Sequence, residues 1–512
     1  MSRASVAMKN SFVQMAVKIY QLIMPFLIRT VLLYYLGAEY TGLDGLFISV
    51  LQVLNLAELG VGSAMTYSMY RPIKENDEAE ICRLLNLYRT YYRIIGAVIG
   101  IAGICLIPFL PLLIKSDIPA DLNLTVVYLM NLAVTVLTYW MFSYKNSLFQ
   151  ACQRLDVAGY INLGAYTVKY LLQIISIMIF RSYYVYLISN IIAQILTNIL
   201  IEVYSVKYFP QYLPEGHVSQ AERKEVNGRI RDLFTAKVGT VIVNSTDSIV
   251  ISSFMGLIPL AIYQNYYLIL SSVVGVLSAM YAALIPSIGQ SFIEDNKKKN
   301  FHDLQRLTFC MVWIISLCTA LFGCLYQPFI ELWAGKKYLL HYSAVAFFCL
   351  YFYIQEINHI LNTFKDASGL WHTDRFRPLI TALSNLLISV LLVGRFGIYG
   401  VLAGTILATV LIGMPWLIHN LFHTVFEPNK RARYLSSLLK YTVVTLISFI
   451  ICVYLGELVS GPLVFVLIVR ALICIVVVCG INLIVYQYEI RKWNMKALAA
   501  RFLHLKSAES RK

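Results

Sequence analysis

Ionisable residues lie inside long apolar stretches of this chain: Lys18, Arg29, Glu58, Lys237, Asp247 and Glu356, with Lys169 and Glu202 nearer the inner ends and Arg470 in the last stretch. A charge in hydrocarbon is costly, so such residues face a wet cavity, pair with a neighbour or snorkel to the interface. The planar fork of Arg29 matches a phosphate or carboxylate through two parallel hydrogen bonds. With Lys18 and Lys237 it makes a candidate anion site. A carboxylate in a low-dielectric interior can trade its proton near neutral pH, so Asp247, Glu58 and Glu356 are candidates to carry a coupling ion, H+ or Na+. Asp247 lies in the run Asn244-Ser-Thr-Asp-Ser248, which is too polar to face lipid and is expected to line a cavity or another helix. Rings in the run Tyr263-Gln-Asn-Tyr-Tyr267 can stack on sugars, and Asn244, Gln264 and Asn265 can hydrogen-bond hydroxyls. Aromatic belts at the two interfaces account for most of the 36 tyrosines. A structural reading competes with all of this: Arg29 pairs with Glu58 or Asp247 and pins helices together.

Other chemistry finds less support. Glu356-x-x-His359 has the spacing of half a di-iron helix motif. No second copy is evident, so neither a metal site nor a cofactor is expected. His419 and His423 lie one helical turn apart near an expected span end, where interfacial placement explains them. The chain has no GxxxxGK[ST] and no GxGxxG after a strand, so it encodes no ATP-driven step. The ten cysteines include no CxxC pair and none falls in an expected outer loop, so no disulfide framework is expected.

These residues must be positioned by membrane helices. Of 512 residues, 59% are hydrophobic and 13% charged, against roughly 25% charged in soluble chains. The mean hydropathy is +0.69. That balance excludes a soluble enzyme, a disordered chain and a coiled coil. A bilayer span needs about 20 apolar residues. Fourteen such segments are read at 12–36, 45–69, 91–114, 122–144, 159–180, 184–206, 235–255, 261–288, 307–332, 341–363, 378–394, 397–420, 438–455 and 463–486. Fourteen is even, so both termini share a side. Tails and loops on that side hold 32 of the 42 Lys and Arg residues, and the opposite loops hold five. The positive-inside rule then puts both termini in the cytoplasm. It also explains most of the +15 net charge as topology, not nucleic-acid affinity. The first apolar segment is interrupted by Lys18, Pro25 and Arg29 and lacks a small-residue cleavage site, so no signal peptide is expected. The outer loops are short, which leaves no room there for an enzyme's active site.

Two halves of the chain resemble each other. At a shift of 219, Lys18 falls on Lys237, Leu36-Gly37 on Met255-Gly256, and Glu75 on Glu294. Similar shifts put Pro108-Phe109 on Pro328-Phe329 and Arg181 on Arg395. A six-plus-six duplication follows, with parallel repeats related by an axis along the membrane normal. The expected organisation is an N-lobe at 1–210, a cytoplasmic linker at 211–234, a C-lobe at 235–425, and an extra helix pair with a basic tail at 426–512. The fold class is therefore an all-α polytopic membrane protein with two pseudo-symmetric six-helix lobes plus a C-terminal pair. A hydrated cavity lined by spans one, two, seven and eight is the expected home of Arg29 and Asp247. Pro25 and Pro286 lie within spans and are candidate flex points. Gly60 and Gly62 in span two allow close helix approach.

The stretch Asn55-Leu-Ala-Glu-Leu-Gly-Val-Gly-Ser-Ala64 resembles the second-helix segment of polysaccharide repeat-unit flippases (Wzx-like). Val243-Asn-Ser-Thr-Asp-Ser-Ile-Val-Ile-Ser252 resembles their seventh-helix segment. The span count, the repeat and the final pair also look like this family, part of the multidrug/oligosaccharidyl-lipid/polysaccharide exporter superfamily. The resemblance covers essentially the whole chain. It implies a multi-pass protein of the bacterial inner membrane, a transporter rather than an enzyme. Such a protein flips an undecaprenyl-diphosphate-linked oligosaccharide from the cytoplasmic to the outer leaflet by alternating access, with proton or sodium coupling in several members. Its partners would be that lipid-linked oligosaccharide, the membrane and other glycan-assembly proteins, with no nucleic acid. The basic residues would hold the diphosphate and a wet cavity the glycan, while the polyprenyl tail stays in lipid. Two alternatives lie in the same superfamily: a lipid II-type flippase, and a multidrug antiporter, whose cavities are typically acidic. A third, of a different class, is a non-transporting scaffold for glycan assembly; the polar run around Asp247 argues against it.

Overall fold

The computed structural model describes residues 3–116, 118–292 and 296–492, without the side chains of 3–12, 232, 235–237, 240 and 244. All regular structure among them is helical. In chain order the helices are α1 (Arg3–Tyr35), α2 (Ala38–Leu54), α3 (Val61–Glu75), α4 (Glu78–Leu106), α5 (Leu124–Trp140) and α6 (Asn146–Ala151). There follow α7 (Leu155–Ile175), α8 (Tyr183–Tyr208), α9 (Gln220–Met255), α10 (Leu257–Phe292), α11 (Lys297–Trp333) and α12 (Tyr342–Ala367). The rest are α13 (Trp371–Asp374), α14 (Arg377–Phe396), α15 (Ile398–Ala408), α16 (Met414–Thr424), α17 (Arg431–Glu457), α18 (Leu463–Val485) and α19 (Gln487–Lys492).

Among the described residues, twelve helices are long and apolar enough to cross a membrane, or thirteen if the bent pair at 124–151 is one span. The apolar stretch Val241–Met255 is shorter. The chain is thus a multi-pass membrane protein. By packing it divides into two compact units, one of 1–267 with 371–408, the other of 268–370 with 409–512.

In the first unit, three backbone features follow directly from the sequence. One glycine joins α1 to α2: Gly37 has φ 111° and ψ −178°. Another joins α9 to α10, where Gly256 has φ 97° and ψ −174°. A positive φ with extended ψ is open to glycine and strained for any residue with a Cβ. The two joints, 219 residues apart, thus share one backbone conformation. The second feature is a break in the second span. After Leu54 the chain makes a 3-10 turn over Asn55–Glu58, and Gly60 turns it at φ 89° into α3. A Cβ on Gly60 would stand 2.6 Å from the Cβ of Leu233 on α9, so both the turn and the close approach need glycine. The third is the start of α9, a capping box. Glu222 N–H donates to Ser219 Oγ at 3.3 Å, and Ser219 N–H donates to Glu222 Oε2 at 2.8 Å. A cap of this kind contributes about 1 kcal/mol, and the Ser219 backbone N–H and side chain bonding the Glu222 carboxylate hold it below the usual range.

The second unit packs α12, α17 and α18 around α11. Lipid tails are as apolar as leucine, so close packing and hydrogen bonds must hold such helices together. Small side chains supply the closeness: Ala320 and Cys324 on α11 pack with Cys452 on α17 and Cys474 on α18. Hydroxyl pairs add direction, Thr308 with Tyr434 at 3.2 Å and Tyr353 with Thr442 at 2.9 Å. Arg470 on α18 donates to the Cys324 carbonyl at 3.3 Å. That bond ties the final helix pair to α11 and gives Arg470 a structural task.

Candidate functional site

Ser245, Thr246, Asp247 and Ser248 of the polar run in α9 are all buried. Asp247 points at helices that themselves bring oxygen atoms. Tyr263 Oη on α10 donates to Asp247 Oδ2 at 2.9 Å. Thr405 Oγ1 on α15 lies 3.1 Å from Asp247 Oδ1 and 3.1 Å from Asn385 Oδ1 on α14. Ser389 Oγ donates to the same Asn385 oxygen at 3.0 Å. A threonine has one proton to give, so Thr405 serves either Asp247 or Asn385 at a time, and the Asn385 amide is itself a hydrogen-bond neighbour of Asp247. Oxygen-rich sites of this kind suit a proton or a hard cation. The sequence reading found Asp247 and missed Asn385 and Thr405, because uncharged polar residues in an apolar span look like ordinary helix packing.

Arg29 on α1 is half-buried and donates through Nε to Asn265 Oδ1 at 2.5 Å and through Nη2 to the Ala261 carbonyl at 3.0 Å, both on α10. Its counter-charge is Asp44 on α2, which also feels Lys169 on α7. Tyr183 Oη donates to Asp44 Oδ1 at 3.2 Å. Asp44 was invisible to hydropathy because it precedes the apolar core of span two. The helix begins earlier, at Ala38, and so carries Asp44 inside.

One turn of α10 links these two clusters. Successive helical residues point about 100° apart, so Tyr263, Gln264 and Asn265 face three ways. Tyr263 meets Asp247, Asn265 meets Arg29, and Gln264 Nε2 is 3.5 Å from Ser248 Oγ. Asn265 is fully buried, with its carbonyl engaged by Arg29.

None of these contacts involves Lys18, Glu58 or Glu356. Lys18 is exposed on α1. The side chains of Lys237 and Asn244 lie outside the described residues. Glu58 ends the 3-10 turn in span two and accepts a long 3.4 Å bond from Tyr92 Oη, beside the Tyr88–Tyr92 pair at 2.8 Å. Glu356, in the second unit, is fully buried with neither carboxylate oxygen hydrogen-bonded. Its oxygen is 3.9 Å from His359 Nδ1, and the His359 ring lies 4.5 Å from that of Tyr281. Among the described residues no group of three or more His, Cys, Asp or Glu is arranged to hold a metal ion. His419 and His423 stack on each other at 6.0 Å.

Comparison with known proteins places this geometry. A family model described as "Polysaccharide biosynthesis protein" matches residues 7–292. No curated protein matches the chain by sequence. Among solved structures it is similar to the lipid II flippase MurJ in an inward closed conformation, with a TM-score of 0.68 at 16% identity, over 94% of this chain and 99% of that one. It is also similar to an inward-facing multidrug resistance MATE family transporter of the MOP superfamily, with a TM-score of 0.66 at 14% identity, over 80% of this chain and 97% of that one. The Vibrio cholerae MATE transporter VcmN, as a point mutant, aligns with a TM-score of 0.55 at 16% identity, over 81% and 96%. At these identities the likeness establishes a MurJ/MATE-like fold.

Proposed function

The chain belongs to the polysaccharide biosynthesis protein family, and on that premise we propose that it flips a polyprenyl-diphosphate-linked oligosaccharide between leaflets by alternating access. Movement runs from the inner to the outer leaflet of a bacterial inner membrane, with both termini cytoplasmic. A proton or sodium ion binds at Asp247 and drives the cycle. The observation that carries the reading is the turn Tyr263–Gln264–Asn265, which joins a buried carboxylate to a half-buried guanidinium. An ion entering among Asp247, Thr405 and Asn385 pulls on Tyr263. The same rigid turn carries Asn265 and so moves the donors left on Arg29. Arg29 is the diphosphate ligand, with Lys18 and Lys237 as further basic groups, and Gln264 and Asn244 are available to glycan hydroxyls. Coupling of this kind is a free energy shared between two sites.

The test is transport in vesicles loaded with undecaprenyl-diphosphate oligosaccharide, read by enzyme access to the glycan on the far face. Imposed proton and sodium gradients should each be tried. Arg29→Ala should abolish transport while the protein still accumulates in the membrane, and full transport would overturn the anion role. Similarity over nearly the whole chain to a protein named a lipid II flippase keeps a lipid II-type substrate as the second reading. Lipid II in the same vesicles separates the two. Transport of cationic drugs alone would point to the antiporter, and no transport of any of them to the scaffold.

A further inference from the structure

The fourth span breaks without a proline or glycine. α5 ends at Trp140, and the chain resumes at Ser143 through α6 with its axis turned by 51°. Met141 at the break has φ −83° and ψ −133°. The bend opens a notch of about 280 Å³ lined by Arg89, Arg93, Trp140, Met141, Phe142 and Tyr144. Arg89 and Arg93 are one turn apart on α4, so their side chains share a face. Neither has an ion-pair partner among the described residues. Arg89 donates to neutral groups, the amide oxygen of Asn86 at 2.9 Å and the Tyr144 hydroxyl. The carboxylate that acts on Tyr144, Glu202, is taken by Lys145, whose Nζ lies 2.6 Å away. The indole of Trp140 donates to the Arg93 carbonyl at 3.1 Å, which fixes one wall.

Two guanidinium groups without an acidic partner among the described residues, beside an indole, are the elements of a phosphate site. We propose that this notch binds the phosphate of an anionic phospholipid from the surrounding bilayer. Three observations select a lipid. Arg93 is exposed at the rim, midway along α4, where the expected span 91–114 begins on the side that the charge count makes cytoplasmic. From the notch, α4 continues into the bilayer with Ile94, Val98 and Ile101 at 53%, 50% and 65% exposure. Those residues are spaced i, i+4, i+7 and so form one apolar track for an acyl chain. The notch also has room for a phosphate and glycerol but not for an oligosaccharide, since sites for drug-sized ligands begin at about 300 Å³. Basic pockets between helices on the cytoplasmic side are a known place for acidic headgroups. The inference requires only that the chain lies in a bilayer, and it stands or falls independently of the transported substrate.

The experiment uses the full chain in detergent, titrated with phosphatidylglycerol or phosphatidylethanolamine, with bound lipid counted by native mass spectrometry. Wild type should retain phosphatidylglycerol at least tenfold better than phosphatidylethanolamine. The double variant Arg89→Gln with Arg93→Gln should lose that preference while keeping its helical content and monodispersity. The charge-preserving double variant Arg89→Lys with Arg93→Lys should keep part of it, and it serves if the glutamine variant fails to fold. Two further arms ask about other sources of phosphate. Displacement of phosphatidylglycerol by inorganic phosphate would make the notch a soluble-anion site. Retention of undecaprenyl diphosphate alone would make it a carrier site. Either result, or an unchanged preference in the glutamine variant, overturns the proposal.

Discussion

Two buried carboxylates, one in each unit, have opposite surroundings. Asp247 receives a proton donor from Tyr263 and sits among the oxygens of Thr405 and Asn385. Glu356 is more deeply buried and receives no hydrogen bond on either oxygen. An unpaired buried charge costs several kcal/mol. The Asp247 pocket is built to accommodate a charge and its counter-ion, whereas the Glu356 pocket brings only neighbours at its edge, the Tyr281 hydroxyl and the His359 ring among them. The difference separates a group that can exchange an ion in this conformation from one that must wait for another conformation to meet a partner.

The largest expected effect tests the first half of that contrast. Asp247→Asn keeps the volume and an acceptor for Tyr263 but removes the charge. A coupling free energy of about 1–3 kcal/mol corresponds to about 5–150-fold, so the gradient-driven part of transport should fall by about 100-fold. Transport that responds to pH and sodium as before would remove Asp247 as the ion carrier. Tyr263→Phe should act in the same direction and less strongly. It deletes one hydrogen bond to a charged group, worth about 1.5–3 kcal/mol, and should weaken ion dependence by about tenfold. Because Tyr263 shares its turn with Asn265, the variant should also raise the substrate concentration for half-maximal transport. If only ion dependence moves, the link through α10 is wrong.

Glu356→Gln sharpens the second half. It replaces a carboxyl that lacks donors with a neutral group of the same shape. Thermal unfolding in detergent should shift by the equivalent of about 1 kcal/mol or less. A large loss of stability would mean that the carboxylate is charged and held by something. If Glu356→Gln stops transport and Asp247→Asn does not, the roles of the two carboxylates are exchanged.

The contrast between these carboxylates was only half legible in the sequence. Hydropathy located apolar segments, and helices run through them, twelve or thirteen of which among the described residues are long and apolar enough to span where fourteen were expected, because apolar runs have few other options in a bilayer. The aligned Leu36-Gly37 and Met255-Gly256 likewise reappear as the same backbone joint. Charged residues inside spans were legible for the same reason, which is how Asp247, Arg29 and Glu356 came to notice. Their partners were not. Asn385 and Thr405 are about 140 and 160 residues away from Asp247 along the chain, and nothing local marks them as its neighbours. Tyr263 reads as one more tyrosine among 36. The break at Trp140–Ser143 has no proline or glycine to announce it. Gly60 announced close packing, and the structure adds that the same residue must also turn the chain.

The smallest expected effect concerns His359, and it asks whether the pair with Glu356 holds α12 in place. The His359 side chain is 34% exposed and its Nδ1 lies 3.9 Å from Glu356 Oε1, beyond hydrogen-bond reach. At that distance and exposure the contact belongs with marginal surface pairs, so His359→Gln should cost under about 0.5 kcal/mol in thermal unfolding in detergent. The double variant with Glu356→Gln should then lose no more than the two single variants together, because independent sites add. A coupling well above that range would show that the two side chains act as a unit, and the distinction between the two carboxylates would reduce to the number of donors each one meets.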